Sequence, residues 1–444
     1  MDTAPATASH AGFYGGPIVP PALAEPKPAA AAPRQAKTWN AQRWTLAGTI
    51  LILLAGLTLR ILPCFGVPDR LTEDEYLYIQ NVRMLKAVGP GQYTALVQNY
   101  VAAQARMDAV MLPPTRCVYI LSGWAWDAVF HSGPRMALRH VAAMFSCLSL
   151  LLGTWFALRM GGARTALVVA ALMGAAPLQL MMAHRELVDG VFAFWALLSA
   201  WLLWENLQRP GRLGWCAAYA GAIAFMVLTK ENAFFASVAL CGIFCAAALF
   251  PGLNLGKAHW SAAAATAAGG LLGVAVLISM AGGVHTLIET YRLLVTKAEK
   301  MTFAYATGGG PWFRYLVDLM LANPAVLLPA IGGIFALRRE NRAGIFLLLF
   351  IVFSCAVMVN VKNGMNLRYA TMWEMPLCYL AAGPLLRMAD GVRRSPLVAG
   401  ALLLALVCGV ELHQYFVLFV QYDIGEPVTA SLMSALEIVR PMLK

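Results

Sequence analysis

Three carboxylates stand in a row in the stretch Leu71-Thr72-Glu73-Asp74-Glu75-Tyr76. They follow an apolar run long enough to cross a bilayer. A carboxylate so placed can take a proton from a hydroxyl within hydrogen-bond reach, which is general-base chemistry. Thr72 and Glu75 have the spacing of a capping box, with Thr72 as N-cap and Glu75 reaching back, and Leu71 and Tyr76 are placed for the hydrophobic staple. The helix so begun should run to about Val88 and stop at Gly89-Pro90. Tyr78, Val82 and Leu85 share one face, so the helix can lie flat on a membrane surface. Asp74 and Glu75 are the candidate catalytic residues, with Glu75 capping while Asp74 points into a cavity as the base. Complementing the helix dipole explains the same acids equally well.

Other charged residues fall at the ends of apolar runs, on the side that also carries residues 73–75. The cations are Arg185, Lys230, Arg292, Lys297, Arg314 and Arg368, and the acids include Asp108, Asp189 and Glu231. Cations at span ends commonly just snorkel to the interface. Lys230 and Arg368 stand apart because the loops around them are very short. Lys230-Glu231 also reads as a local ion pair, and Arg185 and Asp189 are one helical turn apart, where they can pair with each other. Glu374 falls inside an apolar run, which is costly unless it has a partner. No Cys/His group has metal-ligand spacing, so no metal ligand is assigned. The carboxylates leave a divalent cation possible as a cofactor.

The elements that must hold these groups are apolar helices. Of the 444 residues, 60% are hydrophobic and 12% charged, with a mean hydropathy of +0.66. Soluble domains carry about 25% charge. Apolar runs recur at about 44–64, 136–158, 165–183, 187–204, 213–229, 232–250, 260–281, 316–337, 343–361, 367–388 and 395–417. The expected class is an all-α polytopic membrane protein with about eleven transmembrane helices and amphipathic surface helices in the first outer loop. The net charge of +11 sits in short clusters between spans. That is the positive-inside pattern, and no nucleic-acid partner is expected. Arg159 with Arg164, Arg209 with Arg212, Lys257, the group Arg338, Arg339 and Arg342, and the group Arg387, Arg393 and Arg394 mark the cytoplasmic loops. The long outer loops are 65–135 and 282–315. The Ala/Pro-rich tail, 1–43, is expected to be disordered and cytoplasmic. The spans, 44–417, form one unit, and 418–444 is a short extracytoplasmic segment, helical from Thr429 to Val439. The nine cysteines are scattered, mostly in spans. A Cys64–Cys117 disulfide is conceivable, and free thiols are the plainer reading.

Residues 72–76, placed after the first span, resemble the Asp-Glu motif in the first outer loop of GT-C membrane glycosyltransferases. The similar branch holds the protein O-mannosyltransferases, the lipid A aminoarabinose transferases and the lipopolysaccharide-core sugar transferases. Further resemblances follow in the same order, over about 60–385. They are Leu112-Pro113-Pro114 with Tyr119 and Trp124, Arg139-His140, Pro177 with Arg185 and Asp189, and Leu228-Thr229-Lys230-Glu231. Gly310-Pro311-Trp312-Phe313-Arg314-Tyr315 and Asn366-Leu367-Arg368-Tyr369 with Pro376 complete the series. The chain departs from the pattern before Pro113-Pro114, where many relatives have an acid and this chain has Met111-Leu112. Asp108 is the candidate substitute. The large periplasmic domain of some relatives has no counterpart.

The resemblance implies a GT-C-like transmembrane catalytic domain in the cell's inner (plasma) membrane, with its active site on the extracytoplasmic side. It implies a polyprenyl-phosphate sugar as donor, with the apolar tail held between helices against the lipid bilayer. The sugar would pass to a hydroxyl of a lipid, glycan or protein acceptor, with inversion. Arg368, Lys230 and Arg185 would meet the donor phosphate, where negative charge grows. Asp108, Asp189, Glu231 and Tyr369 would line the donor or acceptor site. No Gly-rich phosphate loop follows a strand, in keeping with a donor that carries no nucleotide. A multi-span transporter and a catalytically inactive membrane scaffold are the alternatives. A transporter should hold its ionisable residues at mid-membrane on broken helices. The enzyme reading requires Asp74, Lys230 and Arg368 to converge on one outward-facing cavity with a lateral opening to lipid.

Overall fold

The computed structural model describes residues 33–63, 70–301, 304, 308–361, 365–392 and 394–439. The first part of the tail, Cys64 and Arg393 therefore lie outside the described residues. Helix α1 is Pro33–Ile61, and from Arg43 onward it belongs to the larger of two units, 43–444. Only that unit concerns the site. Its further helices are α2 Glu73–Val88, α3 Tyr93–Arg106, α4 Cys117–Phe130, α5 Pro134–Ala175, α6 Pro177–His184, α7 Asp189–Gln208 and α8 Leu213–Thr229. There follow α9 Ala233–Leu249, α10 Trp260–Ala281, α11 Val284–Lys300, α12 Arg314–Ala322, α13 Pro324–Phe335, α14 Arg342–Met358, α15 Glu374–Gly391, α16 Pro396–Tyr415 and α17 Thr429–Ala435. Among the described residues there is no strand.

Among the described residues, four helical stretches are long and apolar enough to cross a membrane: Pro134–Ala175, Asp189–Gln208, Trp260–Ala281 and Pro396–Gln421. Six further apolar helices are shorter. The eleven expected spans are thus not all single helices, because glycine and proline interrupt them. Gly162, at φ 81°, breaks the backbone of α5, where two separate spans were expected. Asn323-Pro324 divides the expected 316–337 span into α12 and α13, since proline has no N–H for the preceding turn. The expected 367–388 span opens instead with a 3-10 turn, Leu367–Trp373, before α15. Glu374, at that junction, finds the partner its burial demands in Asn323 Nδ2, 3.2 Å away.

Small residues let the helices close on one another. On α10 a side chain at Gly269 would put its first carbon 2.4 Å from the Ala220 carbonyl oxygen of α8. Such close backbone approach replaces the hydrophobic driving force that lipid removes. A second apolar core lies under α2. Tyr78, Ile79, Val82 and Leu85 are buried with Tyr93 of α3, Ile120 of α4, Leu138 of α5 and Val191 of α7. The face expected to rest on the bilayer is therefore covered by protein. The N-terminal parts of α2, α5 and α7 meet at one end of the bundle. The far end holds the ion pairs Arg159–Glu205 at 3.1 Å and Arg164–Asp390 at 2.6 Å.

Candidate active site

The capping box forms as its spacing requires. Thr72 N donates to Glu75 Oε2 at 2.7 Å, and Glu75 N donates to Thr72 Oγ1 at 3.4 Å. Glu75 also receives Arg185 Nε at 3.0 Å, Arg185 Nη2 at 2.9 Å and Glu186 N at 3.1 Å. Arg185 in turn donates Nη1 to Asp423 Oδ1 at 2.8 Å and Nη2 to the Arg70 carbonyl at 2.9 Å. Burial opposes the charge on Glu75, but the hydrogen bonds and charge of Arg185 outweigh it and hold the carboxyl below its ordinary value.

Two expectations change here. Glu75 is 1% exposed with both oxygens engaged, so it ties α2 to the bundle and has no oxygen left for an acceptor. Arg185 has all three nitrogens engaged, and its partners are Glu75 and Asp423, not Asp189. The reason is local: Arg185 is extended, at φ −122° and ψ 156°, and the next helix begins only at Asp189, so the two do not share a helical face.

Asp74, one residue earlier, faces a different cation. Its Oδ2 accepts from Arg368 Nη2 at 2.9 Å. Glu426 Oε1 lies 3.1 Å from the same nitrogen, and Asn366 Nδ2 donates to Glu426 Oε2 at 2.6 Å. Arg368 is 4% exposed, and its Nε and Nη1 have no hydrogen-bond partner among the described residues. A buried donor left unpaired costs about 1–3 kcal/mol. The guanidinium therefore offers two unused donors beside a half-buried carboxylate whose Oδ1 is unengaged among the described residues. Burial raises the Glu426 carboxyl above its ordinary value against the pull of Arg368, and the charge of Asp74 adds to the rise.

Lys230 pairs with Asp189, both buried, and its Nζ stands 4.3 Å from the centroid of the Tyr369 ring. It does not pair with Glu231. Lys230 is fully extended at the end of α8, which turns adjacent side chains apart. Glu231 instead takes Arg116, which also donates to the Tyr78 hydroxyl of α2. Asp189 lies close enough to Lys230, Arg368 and Arg116 for all three charges to act on it. Asp74, Asp189, Lys230, Glu231, Arg368 and Tyr369 thus meet in one cluster, and Arg185 and Glu75 form the adjoining one. Asp74, Lys230 and Arg368 are thus brought together through Asp189, which is the side-chain part of the expected arrangement.

Asp108 is not brought to this cluster. It is exposed in the turn after α3 and makes no ion pair among the described residues. Arg292 pairs with Glu289 on exposed α11 at 2.7 Å, Lys297 donates to the Met107 carbonyl, and Arg314 binds Thr429 Oγ1 at 3.0 Å. Three site residues went unseen in the sequence: Arg116, Asp423 and Glu426. Arg116 stands two places after Pro113-Pro114, a usable signal. The two acids come from the C-terminal stretch, where nothing local marks them. Among the described residues no three His, Cys, Asp or Glu side chains gather as a cation site would require.

Residues 121–282 match the family model of dolichyl-phosphate-mannose-protein mannosyltransferase. The fold is similar to that of ArnT from Cupriavidus metallidurans in the apo state, at 16% identity over 90% of this chain and 73% of that one, with a TM-score of 0.51. It is also similar to the oligosaccharyltransferase of Archaeoglobus fulgidus in its apo form, at 14% identity over 85% of this chain and a TM-score of 0.60. This chain spans 56% of the archaeal enzyme's length. The same archaeal enzyme, with an inhibitory peptide and a dolichol-phosphate, matches with a TM-score of 0.55. The chain therefore has the fold of these membrane glycosyltransferases, and residues 121–282 carry the family match. No curated protein matches it by sequence. The charged cluster lies where α2 and α7 begin, beside the 3-10 turn that carries Arg368.

Proposed function

We propose that this glycosyltransferase takes a sugar from a polyprenyl-phosphate donor and passes it to a hydroxyl of a lipid, glycan or protein acceptor. The donor class draws support from the dolichyl-phosphate mannose in the matching family's name and from the dolichol-phosphate complex of the similar archaeal enzyme. The observation that carries the reading is the juxtaposition of Asp74 and Arg368 across 294 residues of chain, with two guanidinium donors unused. Asp74 Oδ1 takes the proton of the acceptor hydroxyl. The oxygen attacks the anomeric carbon on the face opposite the phosphate, the carbon–oxygen bond to phosphate breaks, and configuration inverts. Arg368 Nε and Nη1 receive the charge that grows on the departing phosphate. Lys230 holds Tyr369, and so the turn that carries Arg368, by its charge over the ring. Glu75 and Arg185 fix the start of α2.

The site belongs on the extracytoplasmic side of the inner membrane. The opposite end of the bundle carries the basic loops, including Arg159, Arg164, Arg209 and Arg212, and positive loops stay in the cytoplasm. The catalytic domain is the helical bundle 44–417, and the C-terminal segment 418–444 is extracytoplasmic with the site. The test is a transfer assay in membranes with a panel of radiolabelled polyprenyl-phosphate sugars, comparing wild type with Asp74→Asn. Asparagine keeps the shape and removes the base, so transfer should fall about 100- to 10,000-fold. An inserted, donor-binding variant that transfers at the wild-type rate would end the base assignment.

A further inference from the structure

The C-terminal segment 422–428 crosses the site between the π-helical end Phe416–Gln421 of α16 and helix α17. It is pinned at three points. Asp423 accepts from Arg185 Nη1 at 2.8 Å and from Arg70 N at 3.3 Å. Gly425 lies so close to Thr72 that a side-chain carbon there would be 2.3 Å from its methyl group and 2.9 Å from Arg185 Nη2. Leu367 N donates to the Pro427 carbonyl at 3.3 Å. Between these points Glu426 reaches Arg368, the cation assigned above to the donor phosphate. Its carboxylate is an anion of phosphate-like charge on the same guanidinium.

Charge balance says what must happen when a donor arrives. Among the described residues the cluster holds three cations, Arg116, Lys230 and Arg368, and four carboxylates, Asp74, Asp189, Glu231 and Glu426. A phosphate would bring a fifth acidic group to three bases. Asp189 and Glu231 each have a buried cation of their own, and Asp74 is required as the base. Glu426 is the carboxylate free to give way. It sits on a non-helical segment, its side chain is 37% exposed, and it shares Arg368 Nη2 with Asp74. The groups facing it are Arg368 and Asn366 from the turn before α15, Asp74 from α2 and Asp189 from α7.

We propose that Glu426 is an anionic stand-in that balances the charge of Arg368 from Nη2 in the donor-free enzyme and withdraws when the donor phosphate meets Nε and Nη1. The segment is then a strap that sets donor affinity, held on its other side by Asp423. This inference rests on the assignment of Arg368 to the phosphate. Binding is measured on the full chain in detergent with undecaprenyl phosphate, with inorganic phosphate and undecaprenol as comparison probes, for wild type, Glu426→Gln and Glu426→Asp. Aspartate keeps the charge and is too short to reach Arg368, so it serves if the glutamine variant does not fold. Both variants should bind undecaprenyl phosphate about tenfold more tightly than wild type, with undecaprenol binding unchanged. The same gain for inorganic phosphate would also support the seat and show that phosphate alone fills it. Equal or weaker undecaprenyl phosphate binding by the folded variants, with wild type binding normally, overturns the stand-in and leaves the enzyme reading intact. No binding by any of the three proteins overturns the assignment of Arg368 to the phosphate, and the stand-in with it.

Discussion

Arg368→Lys separates charge from hydrogen-bond geometry at the site. Lysine keeps the positive charge that Asp74 and Glu426 face, so the charge balance of the cluster is unchanged. It loses the planar fork, and with it the Nε and Nη1 donors that have no partner among the described residues. If those two donors meet the departing phosphate, the variant forfeits two charge-assisted hydrogen bonds. Each is worth about 1.5–3 kcal/mol. The low end of the sum, about 3 kcal/mol, corresponds to a loss of about 100-fold in kcat/KM, since about 1.4 kcal/mol is tenfold. The assay is initial-rate transfer from the active polyprenyl-phosphate sugar over a range of donor concentrations, at matched protein insertion. The loss should appear in kcat as well as KM, because charge on the leaving oxygen is largest in the transition state. A variant within threefold of wild type refutes the reasoning, since the two buried donors would then have no part in leaving-group stabilisation.

Two further outcomes concern stability. Glu75→Gln breaks the buried pair with Arg185, so unfolding in detergent should show a loss of about 3–5 kcal/mol at pH 7. The folded-state Glu75 carboxyl lies below its ordinary value of 4.5, so its contribution is full above that pH and is lost as pH falls through the lower folded value. The difference between wild type and variant should therefore narrow below pH 4.5, and a difference that stays constant would show that the charge of Glu75 is not its source. Gly269→Ala places a methyl group 2.4 Å from the Ala220 carbonyl oxygen and should destabilise the α8–α10 contact by about 1–3 kcal/mol. Unfolding of the variant at the wild-type denaturant midpoint would show that the two helices are free to separate.

Much of this protein was legible from local chemistry. Helix α2 begins and ends where Thr72, Glu75 and Gly89-Pro90 place it, because capping and termination are settled within a few residues. Helices α8 and α10 run over the stretches their apolar residues mark, since a lipid-facing helix must satisfy its own backbone. The all-helical class and the choice of Asp74, Lys230 and Arg368 as residues to bring together followed from the same reading. Partner choice did not. Arg185 could be assigned to Asp189 by spacing and Lys230 to Glu231 by adjacency. Extended backbone at both cations turned them toward Glu75 and toward Asp189 instead. Only the tertiary structure delivered Asp423 and Glu426 to the site, from more than fifty residues beyond Arg368. Ion pairing is set by which ends of the bundle meet, and a sequence records helix ends one at a time.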